Sequence, residues 1–330
     1  MQKTFKYRLY ANKETEKKLF WTRARCRELY NAALSERRDA YKYAGKSITY
    51  YDQQNDLPEI KHELRTEYEE IAAHVLQDVL RRLDKAFKAF FRRVKNGEKP
   101  GYPRFQGRDR YDSFTYPDGA GWKLEGNTLH LSKIGSVKIK LHRAVQGKIK
   151  TLTIKREVDQ WYASFSCEVD DPLPLSRSIE DVGIDLGVSH LATLSNGEMI
   201  EHPRHYRKAK KTLEKRQQAL SRKKRGSRRR QRAKNMIGRA HRKIRNQRRD
   251  SLHKASRALV NRYQVLVFED IKIGNLTRKP KAKQDEQGTY LPNGAAAKGG
   301  LNTSILDAGW GMFVEMCAVK AVEAGRTLLK

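Results

Sequence analysis

Val182-Gly183-Ile184-Asp185-Leu186-Gly187 and Val265-Leu266-Val267-Phe268-Glu269-Asp270-Ile271 decide the fold. Each is a short apolar run, the pattern of a strand buried on both faces. Each also carries a carboxylate, Asp185 in the first and Glu269 in the second. A carboxylate inside an apolar strand is costly to bury unless a cation or hydrogen-bond donors meet it. If the two strands are neighbours, a spacing of about 4.8 Å brings the acids together. Two converging carboxylates can hold Mg²⁺, which takes oxygen ligands and keeps several waters. In nucleases a metal pair about 3.5–4 Å apart clamps the attacking and leaving oxygens of a phosphodiester. Asp270 alternates to the other side of its strand and is read as structural.

A D-x-G strand followed by a hairpin also opens the sugar-kinase and actin-like ATPase folds. Those folds need a second phosphate loop rich in Asp, Gly and Thr, and none is found. The segment between the two strands argues instead for a polyanionic partner. Residues 204–249 hold 22 Lys and Arg against one acid, Glu214, which is about two thirds of the chain's net charge of +32. Gly226-Ser227 divides the segment, so a basic helical hairpin is predicted over 204–260. Leu213, Leu220, Met236, Ile237 and Ile244 are too sparse to give it a core of its own. A solvated tail would sit at a terminus, whereas this arm lies between two buried strands. Its phosphate-contacting candidates are Lys210, Lys211, Arg222, Lys223, Lys224, Arg225, Arg228, Arg229 and Arg230. Neutralising Z phosphates gives a salt slope of about −0.9Z on duplex and about −0.7Z on a single strand. None of these residues supplies sequence specificity by itself.

Upstream, residues 1–11 alternate like a strand, and Asn12 is placed to cap a helix. A polar stretch runs from Gly45 to Asp56. A second helix carries Leu76, Val79, Leu80, Leu83, Phe87, Phe90, Phe91 and Val94 at helical spacing, a predicted core stripe. Its opposite face holds Arg81, Arg82, Lys85, Lys88, Arg92, Arg93 and Lys95 with few opposing acids. From Tyr102 to Val169 the pattern is β, with a turn at Val158-Asp159-Gln160. A strand, a helical insertion and further strands predict an interrupted β-barrel. The linker 171–177 (DPLPLSR) follows. Asn196-Gly197 marks a hairpin, residues 278–300 form an aperiodic loop, and a last amphipathic helix is expected from Ser304 to the end.

Cys26, Cys167 and Cys317 stand far apart, so neither a disulfide framework nor a zinc site is expected within this chain. No apolar run of about 18 residues exists, and MQKTFKYRLY lacks a signal-peptide core. A cytoplasmic, nucleoid-associated protein with no membrane partner is the expectation.

Taken in order, G-I-D-L-G at 183–187, the basic helices, F-E-D-I at 268–271 and L-D-A-G-W-G-M-F at 306–313 resemble the TnpB family. These are transposon-encoded RNA-guided DNA endonucleases related to type V CRISPR effectors. The Y-R-L-Y start, F-F-R-R-V-K at 90–95 and G-Y-P-R-F at 101–105 agree. The resemblance implies an α+β multidomain chain. Its wedge β-barrel would comprise 1–11 and 100–170, with an inserted helical recognition domain at 12–99. A partial RNase H-like RuvC nuclease core would occupy 178–330. It further implies a guide RNA from the transposon end, one protein per RNA, a double-stranded DNA target beside a short motif, and Mg²⁺ at Asp185 and Glu269 as catalytic ligands. The motif-contacting positions would correspond to Tyr50, Gln77, Phe114, Thr115 and Tyr116. Tyr50 and Tyr116 suit stacking, and Gln77 suits a bidentate contact to adenine. Family members carry a zinc ribbon and then a third catalytic Asp, both beyond Lys330. Of the acids left, Asp307 stands three residues after Ser304 as a capping-box acid would, and Glu315 is the other. The alternative function is RNA-guided DNA binding without cleavage.

Overall fold

The computed structural model describes residues Met1–Lys330. The chain divides into two units, Met1–Asp170 and Asp171–Lys330.

In the first unit β1 (Gln2–Tyr10) buries Phe5, Tyr7 and Leu9 on one face, as its alternation predicts. Helix α1 (Lys13–Ala44) starts where the Asn12 side chain accepts from the Thr15 amide at 2.7 Å. It stops at Gly45, whose φ of +62° suits a residue without Cβ. Part of the expected polar stretch is helical: α2 (Tyr50–Asn55) is nucleated by a Thr49/Asp52 capping box. The short α3 (Leu57–Glu59) leads to α4 (Ala73–Lys95).

The predicted core stripe of α4 holds over half its length. Val75, Leu76, Val79, Leu80 and Leu83 are buried, but Phe91 and Val94 are 61% and 50% exposed. Arg82, on the face read as basic surface, ties α4 to the sheet. Its Nε donates to Asp78 at 2.8 Å and its Nη1 to the Ser113 carbonyl at 2.8 Å.

The remaining strands are β2 (Ser113–Tyr116), β3 (Trp122–Glu125), β4 (Thr128–Leu131), β5 (Gly135–Lys140), β6 (Lys148–Glu157) and β7 (Gln160–Glu168). They form one sheet in the order β2-β6-β7-β1-β5-β4-β3, with every pairing antiparallel. The edges β2 and β3 do not pair, so the expected β-barrel takes the form of a curled half-barrel. The buried Tyr116 ring sits under the Gly121 turn and its hydroxyl donates to Ser132 at 3.2 Å, while Trp122 packs on Phe165 at 5.6 Å. Val158, at φ +61°, makes the β6–β7 turn. Gly147, at φ +73°, brings the chain against β7, and a Cβ there would lie 2.1 Å from the Glu168 carbonyl oxygen. Gly147→Ala is therefore expected to destabilise this unit by at least about 2 kcal/mol, from left-handed strain plus overpacking. An unchanged urea midpoint would contradict this reading.

The second unit contains β8 (Asp181–Asp185), β9 (His190–Leu194), β10 (Met199–Glu201), α5 (His205–Ser221), α6 (Arg228–Arg262), β11 (Val265–Phe268), α7 (Ile273–Leu276), β12 (Lys283–Gln284), β13 (Tyr290–Leu291), α8 (Ala295–Ala308), α9 (Trp310–Ala324) and β14 (Thr327–Leu329). The main sheet runs β10-β9-β8-β11-β14. The first three strands form an antiparallel meander turned at Gly197 (φ +85°), and β11 and β14 run parallel to β8. This order and these directions are those of an RNase H-like sheet. Helix α9 packs on α6, and Phe268 meets Phe313 edge-on at 6.1 Å.

The C-terminal end differs from the expectation. The last helix starts nine residues before Ser304 as α8, breaks at Gly309 (φ +73°) and resumes as α9; the chain then closes the sheet with β14. The segment 278–300 contains the β12–β13 hairpin and the first turn of α8.

Candidate nuclease site and nucleic-acid interface

Ile184 and Phe268 are register partners in the parallel pair β8–β11. One residue further on each chain sets Asp185 beside Glu269, at the C-terminal ends of neighbouring strands. Both are exposed rather than buried. Their position at the strand ends relieves the desolvation cost that a mid-strand carboxylate would carry. The turn after Asp185 is held by Trp310, whose Nε1 donates to the Gly187 carbonyl at 3.1 Å. A Cβ on Gly187 would lie 3.1 Å from the His190 oxygen, a tight contact that the turn would have to relax to accept. No cluster of three or more His, Cys, Asp or Glu side chains forms a metal site among the described residues. The pair offers only oxygen donors, with room for water at the remaining positions, which fits a hard divalent cation such as Mg²⁺.

Asp307 does not join them. It is 6% exposed and accepts from the Tyr206 amide at 2.9 Å and the Arg207 amide at 3.1 Å. Arg248 Nη2 donates to it at 3.0 Å. Asp307 therefore caps α5 across the unit, not its own helix; Ser304 is mid-helix and bonds back to Gly300. Burial holds the neighbouring His205 below the usual imidazole range, with Asp307 partly opposing. Glu315 is exposed on α9.

The basic hairpin forms as α5 and α6, with Ser227 capping α6 by accepting from the Arg230 amide at 3.1 Å. Lys210, Lys211, Arg222, Lys224, Arg225, Arg228 and Arg229 are exposed and Lys223 is half-buried. Arg230 Nη1 donates to the carbonyls of Leu220 and Lys223, both at 2.9 Å, and so closes the turn. A guanidinium held on two carbonyls has less to give a phosphate.

In the first unit Tyr50 is half-buried, with its hydroxyl accepting from Arg81 Nε at 3.0 Å, and Gln77 is half-buried on α4. Phe114, Thr115 and Tyr116 are buried in β2. Thr115 is engaged by Arg82 and by Thr153. Burial raises the Tyr116 phenol well above its ordinary range. Tyr116 thus packs in the core, 1% exposed and edge-on to Phe114 at 6.2 Å, where stacking was expected.

A family profile described as "Probable transposase" matches residues 164–279, the span that holds both carboxylates and the hairpin. A second profile, "Helix-turn-helix domain", matches residues 1–46. "Putative RNA-guided DNA endonuclease InsQ" of Escherichia coli (strain K12) is 32% identical over 326 residues, covering 98% of this chain and 79% of that one. A "Putative RNA-guided DNA endonuclease" of Streptomyces pristinaespiralis is 30% identical over 334 residues, covering 100% and 77%. The chain belongs to the TnpB family. Among solved structures, a Cas12f1-sgRNA-target DNA complex aligns at TM-score 0.34 and 15% identity, covering 100% of this chain and 84% of that one. A CRISPR-Cas12f ternary complex aligns at 0.36 and 13%, covering 96% and 71%. In this TnpB-family chain the region matched as helix-turn-helix is strand β1 followed by the single helix α1. No helix of the structure is long and apolar enough to cross a membrane.

Proposed function

We propose that this chain is an RNA-guided DNA endonuclease of a transposon. It would bind a guide RNA made from the transposon end along the α5–α6 hairpin, and a double-stranded DNA target beside a short motif. The observation that carries the reading is the register placing Asp185 next to Glu269 at the strand ends. Those two residues would hold Mg²⁺, which supplies Lewis acidity and activates water for phosphodiester hydrolysis when bound. The chain's own contribution is to fix the pair on two rigid parallel strands and to hold a polyanion by the hairpin. Tyr50 and Gln77, half-buried near Arg81, are the motif contacts this reading favours.

The test is partner order. The purified chain should carry RNA, and duplex DNA binding should depend on that RNA. Replacing Arg222, Lys223, Lys224 and Arg225 with glutamine should flatten the RNA salt slope by about 0.7 for each lost phosphate contact. Equal, sequence-blind DNA binding without RNA would contradict the proposal.

A further inference from the structure

The C-terminal half of α4 does not bury its apolar stripe. Instead Phe87, Phe90 and Phe91, with Tyr51 from α2 and Tyr102 from the segment after α4, wall a cavity of about 730 Å³ over Arg37 of α1. The rings brace one another. Phe87 meets Tyr102 edge-on at 5.6 Å, Phe90 meets Tyr102 at 5.4 Å and Phe91 at 5.2 Å. Two ring faces remain open to solvent, since Tyr51 is 71% and Phe91 61% exposed. One exposed aromatic is ordinary, but a preformed ring cluster around a cavity marks a binding surface.

A second observation concerns Arg37, which is 7% exposed. Its Nε donates to Gln53 at 2.8 Å and its Nη1 reaches Asp84 at 3.4 Å, while its guanidinium lies 5.4 Å from the Phe87 ring centre. Its Nη2 is buried with no hydrogen-bond partner. An unmet donor on a charged group is costly to leave buried, and an acceptor that meets it after a small side-chain shift would relieve that cost.

We infer that this cavity takes an unstacked nucleobase, with the aromatic rings on its faces and Arg37 Nη2 donating to an oxygen or nitrogen acceptor on its edge. Every base offers a π-face, which explains walls made of rings rather than aliphatic side chains. Charge selects against the other apolar occupant, a second copy of this chain. Lys88 in the lining is paired with Asp84 at 2.8 Å, but Lys85, Arg92, Arg93 and Lys95 lie along the same half of α4 in a chain of net charge +32. A basic rim repels a like-charged copy and attracts a phosphate backbone. Tyr50 also lines this cavity, so the site rests on the motif-contact reading of that residue and deepens it. It is distinct from the hairpin, because stacking carries no phosphate contact.

The experiment measures binding of a uridine octamer, a thymidine octamer and an abasic octamer to the full chain across a salt series. Tyr51→Ala and Phe91→Ala are used because both side chains are exposed and neither should unfold the chain. Each is expected to weaken octamer binding about 5- to 100-fold, the range for losing one stacked base, with an unchanged salt slope. The abasic octamer should bind wild type and variants alike. Arg37→Gln keeps a donor but is a buried change, so it is read only beside the exposed pair. Loss with the uridine octamer alone assigns an RNA strand, and loss with both assigns single strands of either sugar. The inference is overturned if the variants bind all octamers as wild type does. It is also overturned if they lose affinity for the abasic strand equally, or change only the oligomeric state. A wild type that binds octamers yet ignores its guide RNA would sink the guided-endonuclease reading and leave the base pocket standing.

Discussion

Asp185→Ala is expected to abolish Mg²⁺-dependent cutting of guided target DNA while leaving RNA binding within about two-fold of wild type. The size follows from the role. A bound divalent cation contributes several kcal/mol of transition-state stabilisation, and at 1.36 kcal/mol per decade its loss lowers cleavage by at least about three orders of magnitude. RNA binding is expected to be spared because Asp185 lies at a strand end, whereas the cations proposed to meet phosphate lie on α5, α6 and the turn between them. Glu269→Gln should match Asp185→Ala, and the double variant should be no worse than either, since the two act as one unit. Mn²⁺ binding followed by electron paramagnetic resonance gives a readout apart from cutting, and each single variant should weaken it. Undiminished cleavage by Asp185→Ala would remove the metal assignment. Wild type that binds guided DNA and Mn²⁺ without cutting would move the chain to guided binding without cleavage.

The strands carrying these acids were legible because each packs β-branched and aromatic residues into a run too short for a helix. The turns at Asn196-Gly197 and Gly226-Ser227 were equally plain, since local chemistry sets them. What stayed hidden depended on partners far along the chain. Phe91 and Val94 repeat at the spacing that buries Leu76 and Leu83, and periodicity does not say where a core ends. β14 is three residues long and pairs with a strand more than sixty residues away. Helix α8 begins in Ala295-Ala-Ala-Lys-Gly-Gly, where two glycines mask a helix that tertiary packing supports. The barrel was legible as a run of short strands, but strand count alone does not say whether its edges meet. The inward direction of Phe114 and Tyr116 was a register question that resemblance left open.

Asp307 shows how such distance changes a role, and its replacement carries the largest expected effect on stability. Read beside Ser304, it was a local cap; in the fold it closes the first turn of a helix a hundred residues earlier. Asp307→Ala removes the acceptor for the Tyr206 and Arg207 amides, two donors that no other turn of α5 can satisfy. It also leaves the Arg248 guanidinium, whose side chain is 22% exposed, without its carboxylate. Breaking a buried charged pair from one side costs about 3–5 kcal/mol, and partial access of Arg248 to water trims that to about 3 kcal/mol. Because the chain has two units, the proper readout is the urea midpoint of the 171–330 transition, with the 1–170 transition as internal control. Asp307→Asn should lose roughly half as much, since one amide oxygen still accepts while the charge is gone. Glu315→Ala, on an exposed face of α9, should move the midpoint by less than about 0.5 kcal/mol equivalent. If Asp307→Ala instead leaves the midpoint in place and weakens Mn²⁺ binding as Asp185→Ala does, Asp307 is a metal ligand and the capping role is wrong. The geometry makes the opposite demand: all three of its partners are donors from α5 and α6, so its lone pairs are already committed to holding the base of the hairpin to α8.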